Sequence, residues 1–101
     1  MDYTLNWSER AIINLKAIED YIAEDSPFHA KKVVNEIISH AENLKTFPSM
    51  GSVMFEYSGM ELRQLLKYSY RIVYSVDESV VTVVTILHGR QDVIAQFIKN
   101  K

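Results

Sequence analysis

Positive side chains and one histidine gather in the last third of the chain, near the ends of predicted strands. Five such residues lie between positions 61 and 91: Arg63, Lys67, Arg71, His88 and Arg90. Residues 80–87 are almost wholly β-branched or apolar, which predicts a central strand buried on both faces. That strand stops at the motif His-Gly-Arg, where the chain must turn. It therefore brings polar groups to one edge of a sheet, where we first expect function.

These residue types could cleave RNA without a metal ion. The reaction needs a base for the 2′-hydroxyl proton, an acid for the leaving oxygen, and cations that stabilise the transition-state charge. Glu56 or Glu61 could be the base and His88 the acid. The cationic set would be Arg63, Arg71 and Arg90.

The alternative is that the same residues are structural. His88 is then a strand-end histidine whose ring hydrogen-bonds a carbonyl group. Arg71 pairs across the sheet with Glu61 or Asp77, a contact worth about 0.2–1 kcal/mol. His29 and His40 have no partner at metal-ligand spacing, so the sequence predicts neither a metal site nor a cofactor.

The composition describes one soluble domain. The chain has 101 residues, 48% of them hydrophobic and 24% charged, and it contains no cysteine. It has no apolar run of membrane-spanning length and no signal peptide, so we expect a cytoplasmic protein. The net charge is −2, with −3 over residues 1–46 and +1 over residues 47–101. The sequence does not predict a general nucleic-acid binder, because such binding needs many phosphate contacts from lysine and arginine, although a local cluster could still hold a few phosphates.

The first half of the chain predicts a strand followed by a helical hairpin. Residues 2–7 alternate apolar and polar side chains, which indicates a half-buried strand. Ser8 stands where a helix N-cap belongs, and apolar residues then recur at spacings of four, three and four. Ser26 and Pro27 begin a second helix, which ends near Phe47. Helices joined by so few residues run antiparallel, and a sheet must cover their apolar stripes.

Residues 47–60 are predicted to be a loop that folds over the core, because glycine, proline and serine recur there. The second interpretation is a partner contact, since exposed Met54 and Phe55 would suit an adaptable interface. After the loop come three strands, with a turn at residues 77–79. Residues 91–99 are predicted to be a short helix that turns Phe97 inward.

The whole chain resembles the ParE/RelE toxin superfamily of type II toxin–antitoxin modules. The resemblance is carried, in order, by Trp7-Ser8 with Ala11, Ile18 with Tyr21-Ile22, Asp25-Ser26-Pro27 with Ala30, Ala41-Glu42 with Leu44, Phe47-Pro48 with Gly51, Arg63 with Leu65, Tyr70-Arg71-Ile72-Val73-Tyr74, and Ile86-Leu87-His88-Gly89-Arg90. It implies an α+β fold of order β-α-α-β-β-β(-α), in which a helical hairpin packs on a small, mainly antiparallel, four-stranded sheet.

Within the superfamily the sequence is most similar to the ParE branch, on its Tyr-Arg-Ile-Val-Tyr and His-Gly-Arg motifs. That resemblance implies a toxin that inhibits DNA gyrase by protein–protein binding, without known catalytic residues. It also implies a cognate antitoxin of the ParD, RelB or Phd kind, in a toxin–antitoxin hetero-oligomer. The predicted contacts with target or antitoxin are Met54, Phe55, Arg63, Arg71, His88, Arg90 and Phe97.

Two alternatives stay open beside the ParE-like toxin. The RelE and YoeB branches cut mRNA on the ribosome, and their pattern matches Glu56, Arg71 and His88 here. The tyrosine expected after the histidine is Gly89, and the strongly basic surface of RelE-type enzymes is missing. The other alternative is a protein that keeps the toxin fold as an inactive interaction partner.

Overall fold

The protein is an α+β domain in which two helices pack on one face of a five-stranded sheet. The structure is a computed structural model that describes residues 2–57 and 60–88, with only the backbone for residues 55–57 and 60. The predicted fold class is confirmed. Among the described residues, no helix combines the length and apolar character that a membrane crossing requires.

Helix α1 (Glu9–Ala23) begins where the sequence predicts. The hydroxyl oxygen of Ser8 accepts a hydrogen bond of 3.0 Å from the backbone N–H of Ala11, which satisfies one of the open donors of the first turn. Glu9 adds negative charge near the positive end of the helix.

Helix α2 (Pro27–Glu42) also begins at its predicted cap. Ser26 accepts a hydrogen bond of 3.1 Å from the N–H of His29, and Pro27 occupies the first turn, where its missing N–H costs nothing. The helix continues into a 3₁₀ turn (Asn43–Lys45) before the chain enters the sheet. The helical hairpin is confirmed.

The sheet has the strand order β1-β5-β4-β3-β2. Its strands are β1 (Thr4–Trp7), β2 (Ser52–Tyr57), β3 (Met60–Lys67), β4 (Tyr70–Asp77) and β5 (Val80–His88). β1 runs parallel to β5, and all other neighbours are antiparallel. The turn predicted at residues 77–79 is confirmed, and Glu78 takes a left-handed backbone with φ of 54°.

One prediction about the sheet is wrong: there are five strands rather than four, because Ser52–Tyr57 is a strand and not part of a loop. Serine and glycine on both sides of this segment suggested a loop, and its apolar residues suggested a lid over the core. The antiparallel ladder with β3 instead pairs the backbone groups along one side of the segment, so it becomes the edge strand of the sheet.

The main core lies between the helices and the sheet. Ala11, Val33 and Ile37 contribute from the helices, and Ile72 and Tyr74 are among the strand residues that meet them. A second cluster (Leu62, Val73 and Leu87) lies on the opposite face, which we call the far face. The helix predicted for residues 91–99 lies outside the described residues, as do Arg90 and Phe97.

Candidate functional site

The end of β5 is shaped by a β-bulge that α1 holds in place. Val73 pairs with Thr85 and Tyr74 pairs with Val83, so Val84 is an extra residue in β5. A bulge leaves backbone groups without ladder partners, and α1 satisfies them. The Ser8 hydroxyl donates to the carbonyl oxygen of Val84 at 2.7 Å.

Asn14 of α1 satisfies the next groups along β5. Its side-chain oxygen accepts hydrogen bonds from the N–H of Ile86 at 3.0 Å and from the hydroxyl of Thr85 at 2.8 Å. Ser8 and Asn14 thus fix the last residues of β5 against the helix. The orientation of His88 follows from this attachment.

Arg71 and His88 project from opposite faces of the sheet. His88 pairs with Tyr70 and its ring centroid lies 5.0 Å from the tyrosine ring, on the face that α1 covers. Arg71 pairs with Leu87, and successive residues of a strand point to opposite faces. The Arg71 side chain therefore lies on the far face, where it donates a 2.6 Å hydrogen bond to the side-chain oxygen of Gln64.

Arg63 supports a loop in this structure. Its guanidinium donates to the carbonyl oxygen of Gly51 at 2.8 Å and to that of Ser49 at 3.4 Å. It also forms an ion pair with Glu61, 3.1 Å between nitrogen and oxygen. The side chain is 21% exposed, so most of its surface already contacts the protein.

Tyr74 closes the same loop from within the core. Its buried hydroxyl donates to the carbonyl oxygen of Pro48 at 2.7 Å and accepts from the N–H of Gly51 at 2.9 Å. Burial raises the pKa of Tyr74, while the Gly51 N–H and the positive charge of Arg63 act in the opposite direction. We call residues 48–51, held by Tyr74 and Arg63, the clamped loop. No motif in the sequence indicated this role of Tyr74.

The remaining predicted residues are dispersed. Met54 is the extra residue of a second bulge, in β2, and packs partly buried against the far-face cluster. Glu56 pairs with Glu61 of β3. His88 lies at the other end of the sheet, where it pairs with Tyr70, which in turn pairs with Lys67. Glu61 and Lys67 are six residues apart along β3. That separation is roughly 20 Å along the strands. Glu56 and His88 therefore do not come together.

A pocket of about 250 Å³ opens beside His88 and was not predicted. The described residues that line it are Ala17, Ile18, Tyr21, Tyr70 and His88. Burial, with a smaller contribution from Tyr21, raises the pKa of Tyr70. The sequence signal was that Tyr21 lies outside the inward apolar stripe of α1, so the core does not require it.

A second pocket, of about 210 Å³, has a polar lining of Glu36, Ser39, His40, Asn43 and Lys67. The hydroxyl of Tyr68 hydrogen-bonds to Glu36 at its border, and the Lys67 ammonium lies 5.1 Å from the Tyr68 ring centroid. Within residues 2–57 and 60–88, no three histidine, aspartate or glutamate side chains lie close enough to hold a metal ion.

The fold matches that of chains in solved toxin–antitoxin structures. A chain of the chromosomal ParDE toxin–antitoxin system from P. aeruginosa has a TM-score of 0.71 at 22% identity, over 87% of this chain and 97% of that one. A chain of the archaeal RelE–RelB complex from Pyrococcus horikoshii OT3 has a TM-score of 0.68 at 13% identity, over 91% and 100% of the two chains. At such identities the likeness establishes the fold alone.

The sequence comparisons show the family as well as the fold. Toxin RelE2 of Caulobacter vibrioides is 32% identical over 84 residues, which span 82% of this chain and 91% of that protein. The family model described as ParE toxin of the type II toxin–antitoxin system parDE matches residues 5–93. The predicted superfamily is thereby confirmed, and the chain belongs to the ParE toxin family of type II toxin–antitoxin systems.

Proposed function

We propose that this toxin acts as an inhibitor of DNA gyrase by protein–protein binding and is neutralised by a cognate antitoxin. The observation that carries the proposal is the separation of the candidate catalytic groups. His88 lies on the helix-covered face, Arg71 lies on the far face, and Arg63 is engaged by the clamped loop.

Acid–base catalysis requires its groups within hydrogen-bond reach of the same reacting atoms, about 3 Å. A sheet backbone stands between the side chains of Arg71 and His88, so one scissile phosphate cannot contact both in this arrangement. Protein binding has no such requirement, because an interface can use both faces and the edge of a sheet. Arg71 and the partly buried Met54 are then contact residues on the far face.

Charge supports the same proposal. A toxin that cuts mRNA in the ribosome must bind a highly charged RNA surface, and that binding depends on many lysine and arginine contacts. This chain has 11 lysine and arginine residues against 13 aspartate and glutamate residues. Of the cations, Lys16, Lys31, Lys45 and Arg63 already form ion pairs within the described residues.

The antitoxin follows from family membership and from the relatives. The P. horikoshii toxin fold was solved as a RelE–RelB complex, and the M. tuberculosis RelBE2 structure is described as a toxin–antitoxin complex. We expect the corresponding antitoxin gene to be a short open reading frame that overlaps or abuts the toxin gene. Its product should suppress growth arrest when both proteins are expressed together.

A ribosome-dependent mRNA endonuclease is the second candidate. The observation that favours it is the 32% identical relative, which is named as a RelE toxin. Under this alternative Arg71 and His88 would act in cleavage. A protein that keeps the fold but has lost toxicity is the third candidate.

Inducible expression without the antitoxin separates these candidates. Gyrase inhibition predicts induction of the DNA-damage response and filamentation while bulk translation continues, and the purified toxin should inhibit gyrase supercoiling in vitro. Rapid loss of translation with mRNA cuts in the ribosomal A site would overturn the proposal in favour of the endonuclease. In that case His88→Ala and Arg71→Ala should each abolish cutting while antitoxin binding persists. Normal growth would leave only the inactive interaction protein.

A further inference from the structure

Three exposed apolar side chains lie at and beside the clamped loop. Phe47 is 62% exposed, Met50 is 44% exposed and Val53 is 51% exposed. The N–H of Met50 donates to the carbonyl oxygen of Phe47 at 3.1 Å, which closes a turn and brings their α-carbons within about 7 Å. Val53 pairs with Arg63, whose guanidinium reaches the carbonyl groups on both sides of Met50. We call Phe47, Met50 and Val53 the loop patch.

The backbone of the loop patch is fixed before any partner binds. Four hydrogen bonds that involve Tyr74 and Arg63 hold the clamped loop, which contains Met50 and directly follows Phe47. A surface that is already ordered loses less conformational entropy on binding than a loop that must fold around its partner. The two sheet residues therefore keep the exposed side chains in a fixed arrangement, although these side chains belong to neither hydrophobic cluster.

The charged side chains beside the loop patch are paired with one another. Arg63 pairs with Glu61 at 3.1 Å, and Lys45 pairs with Glu42 at 2.8 Å. Residues 46–53 contain no charged side chain. Binding to nucleic acid needs lysine and arginine side chains that can contact phosphate groups, whereas the two cations beside the loop patch already have carboxylate partners. The loop patch therefore suits an apolar contact with another protein.

The edge of the sheet beside the loop patch is poorly suited to a second copy of the chain. β2 is the last strand of the sheet, and its bulge at Met54 interrupts the regular row of backbone groups that a pairing strand would need. The loop patch exposes roughly 300 Å² of surface, which is the size of a functional patch on a small protein. A stable dimer of standard size needs about 800 Å² from each partner. A transient partner fits better than a permanent dimer.

The loop patch is continuous with a contact residue proposed on the far face. Val53 pairs with Arg63, which pairs with Tyr74, so Val53 lies on the face that the helices cover. Met54 is the next residue and packs against the far-face cluster. One binding surface therefore passes around the edge strand β2, from the loop patch to Met54, and presents side chains from both faces of the sheet to the same partner.

We propose that the loop patch is part of the surface through which this toxin binds its target, DNA gyrase. Phe47 is the anchor, because it is the most exposed of the three side chains and aromatic residues dominate binding energy at interfaces. Met50 packs beside it and adapts to the shape of the partner. The complementary surface of gyrase is apolar and uncharged. The inference rests on the proposed function for the identity of the target, and it adds the residues that contact the target.

The test measures the affinity of purified toxin variants for purified gyrase, together with inhibition of supercoiling. Phe47→Ala should weaken binding and raise the inhibitory concentration at least about tenfold. Phe28→Ala is the matched control, because Phe28 is 82% exposed and lies at the start of α2, whereas Phe47 follows its end. The 16 residues of α2 separate the two phenylalanines by about 24 Å. Phe28→Ala should inhibit gyrase like the wild type.

A second pair of variants places a charge on the surface. Met50→Glu should weaken gyrase binding by a similar factor, because the carboxylate must be desolvated against an apolar partner. Ile12→Glu makes the same exchange at an exposed position of α1 and should leave binding unchanged. The ratio of wild-type to Phe47→Ala affinity should stay constant between about 50 and 300 mM salt, since salt screens charges and not apolar contacts. Circular dichroism and thermal unfolding check that each variant is folded.

The outcomes separate this inference from the proposed function. A wild-type toxin that does not bind gyrase would overturn both. Gyrase inhibition by the wild type, with Phe47→Ala and Met50→Glu as potent as their controls, would overturn the inference alone. Intact gyrase inhibition with lost binding to the antitoxin would assign the loop patch to the antitoxin and overturn the inference. A wild-type dimer that Phe47→Ala dissociates, with gyrase inhibition unchanged, would assign it to a second copy of the chain.

Discussion

Tyr74→Phe removes one oxygen atom and should destabilise the toxin by about 2–3 kcal/mol. The hydroxyl makes two hydrogen bonds, to the buried N–H of Gly51 and to the part-buried carbonyl of Pro48. A buried polar group without a partner costs about 1–3 kcal/mol. Because the Gly51 N–H is buried, leaving it without a partner should account for most of the lost stability. Water can reach the part-buried Pro48 carbonyl, so the loss of that hydrogen bond should cost less.

Urea denaturation at pH 7 measures the change as a lower midpoint with an unchanged slope. For a domain of about 100 residues, 1 kcal/mol corresponds to about 4–8 °C, so the melting temperature should fall by roughly 10–20 °C. Amide hydrogen exchange gives a local measurement, since the Gly51 N–H should lose its protection before the N–H groups of the neighbouring strand β2. Tyr70→Phe is the control: Tyr70 is buried on the same strand, and its hydroxyl makes no hydrogen bond among the described residues.

A loss below about 0.5 kcal/mol for Tyr74→Phe, similar to that of Tyr70→Phe, would refute the reasoning, because ordinary surface substitutions have effects of that size. The clamped loop would then be held by Arg63 or by chain connectivity alone. Equal loss of stability in both variants, at 2 kcal/mol or more, would point to ring packing and not to the hydroxyl.

Three further predictions concern Gly51, the Asn14 side chain and the ionisation of the buried tyrosines. Gly51→Ala should destabilise by about 3 kcal/mol or more in urea denaturation, because a Cβ would lie 2.5 Å from the Gln64 carbonyl oxygen and 2.7 Å from the Tyr74 hydroxyl. Asn14→Ala should cost about 1–3 kcal/mol in the same assay, since two β5 donors lose their acceptor, and Asn35→Ala should be near neutral. Alkaline stability should fall as pH rises above about 10: burial raises the pKa of Tyr70 and Tyr74 in the folded state, so the unfolded phenols ionise first. The double variant with phenylalanine at both positions should show a flatter decline above about pH 10.

The helical half of the fold could be predicted from sequence because its signals are local. Ser8 and Ser26 cap their helices through N–H groups three residues away, so the motif and the structure it produces lie within one turn. The alternation of residues 2–7 is equally local, and Tyr3, Leu5 and Trp7 do pack against the core.

The sequence does not predict the structure of a segment or the role of a side chain that depends on a partner outside its own short motif. Residues 52–57 form an edge strand only because β3 pairs with them, and the segment alone carries the glycine and serine signals of a loop. The role of Arg63 depends on carbonyl groups 12 and 14 positions earlier, and Tyr74 bonds a loop 23 and 26 positions earlier. No spacing rule for short motifs reaches so far.

The candidate catalytic pair shows how one residue can change an inference about function. The turn pairs Asp77 with Val80, and an unbroken hairpin counted from there would place Arg71 opposite Ile86. His88, two residues further, would then share a face with Arg71, as a nuclease site requires. The extra residue Val84 shifts the register by one, so Arg71 pairs with Leu87 and His88 turns to the other face.

Side chains of α1 and of its N-cap contact the part of β5 where the register shifts. The Ser8 hydroxyl donates to the Val84 carbonyl, and the Asn14 side-chain oxygen accepts from the Ile86 N–H, so these two backbone groups of β5, which lie beyond its last pair with β1, have partners. The two helix residues thus stabilise the register in which His88 faces the pocket and Arg71 faces away. The register that places the two functional candidates on opposite faces is thus supported by hydrogen bonds at sequence separations of 76 and 72 residues. A catalytic role inferred from residue spacing within the β4–β5 hairpin could not take these hydrogen bonds into account.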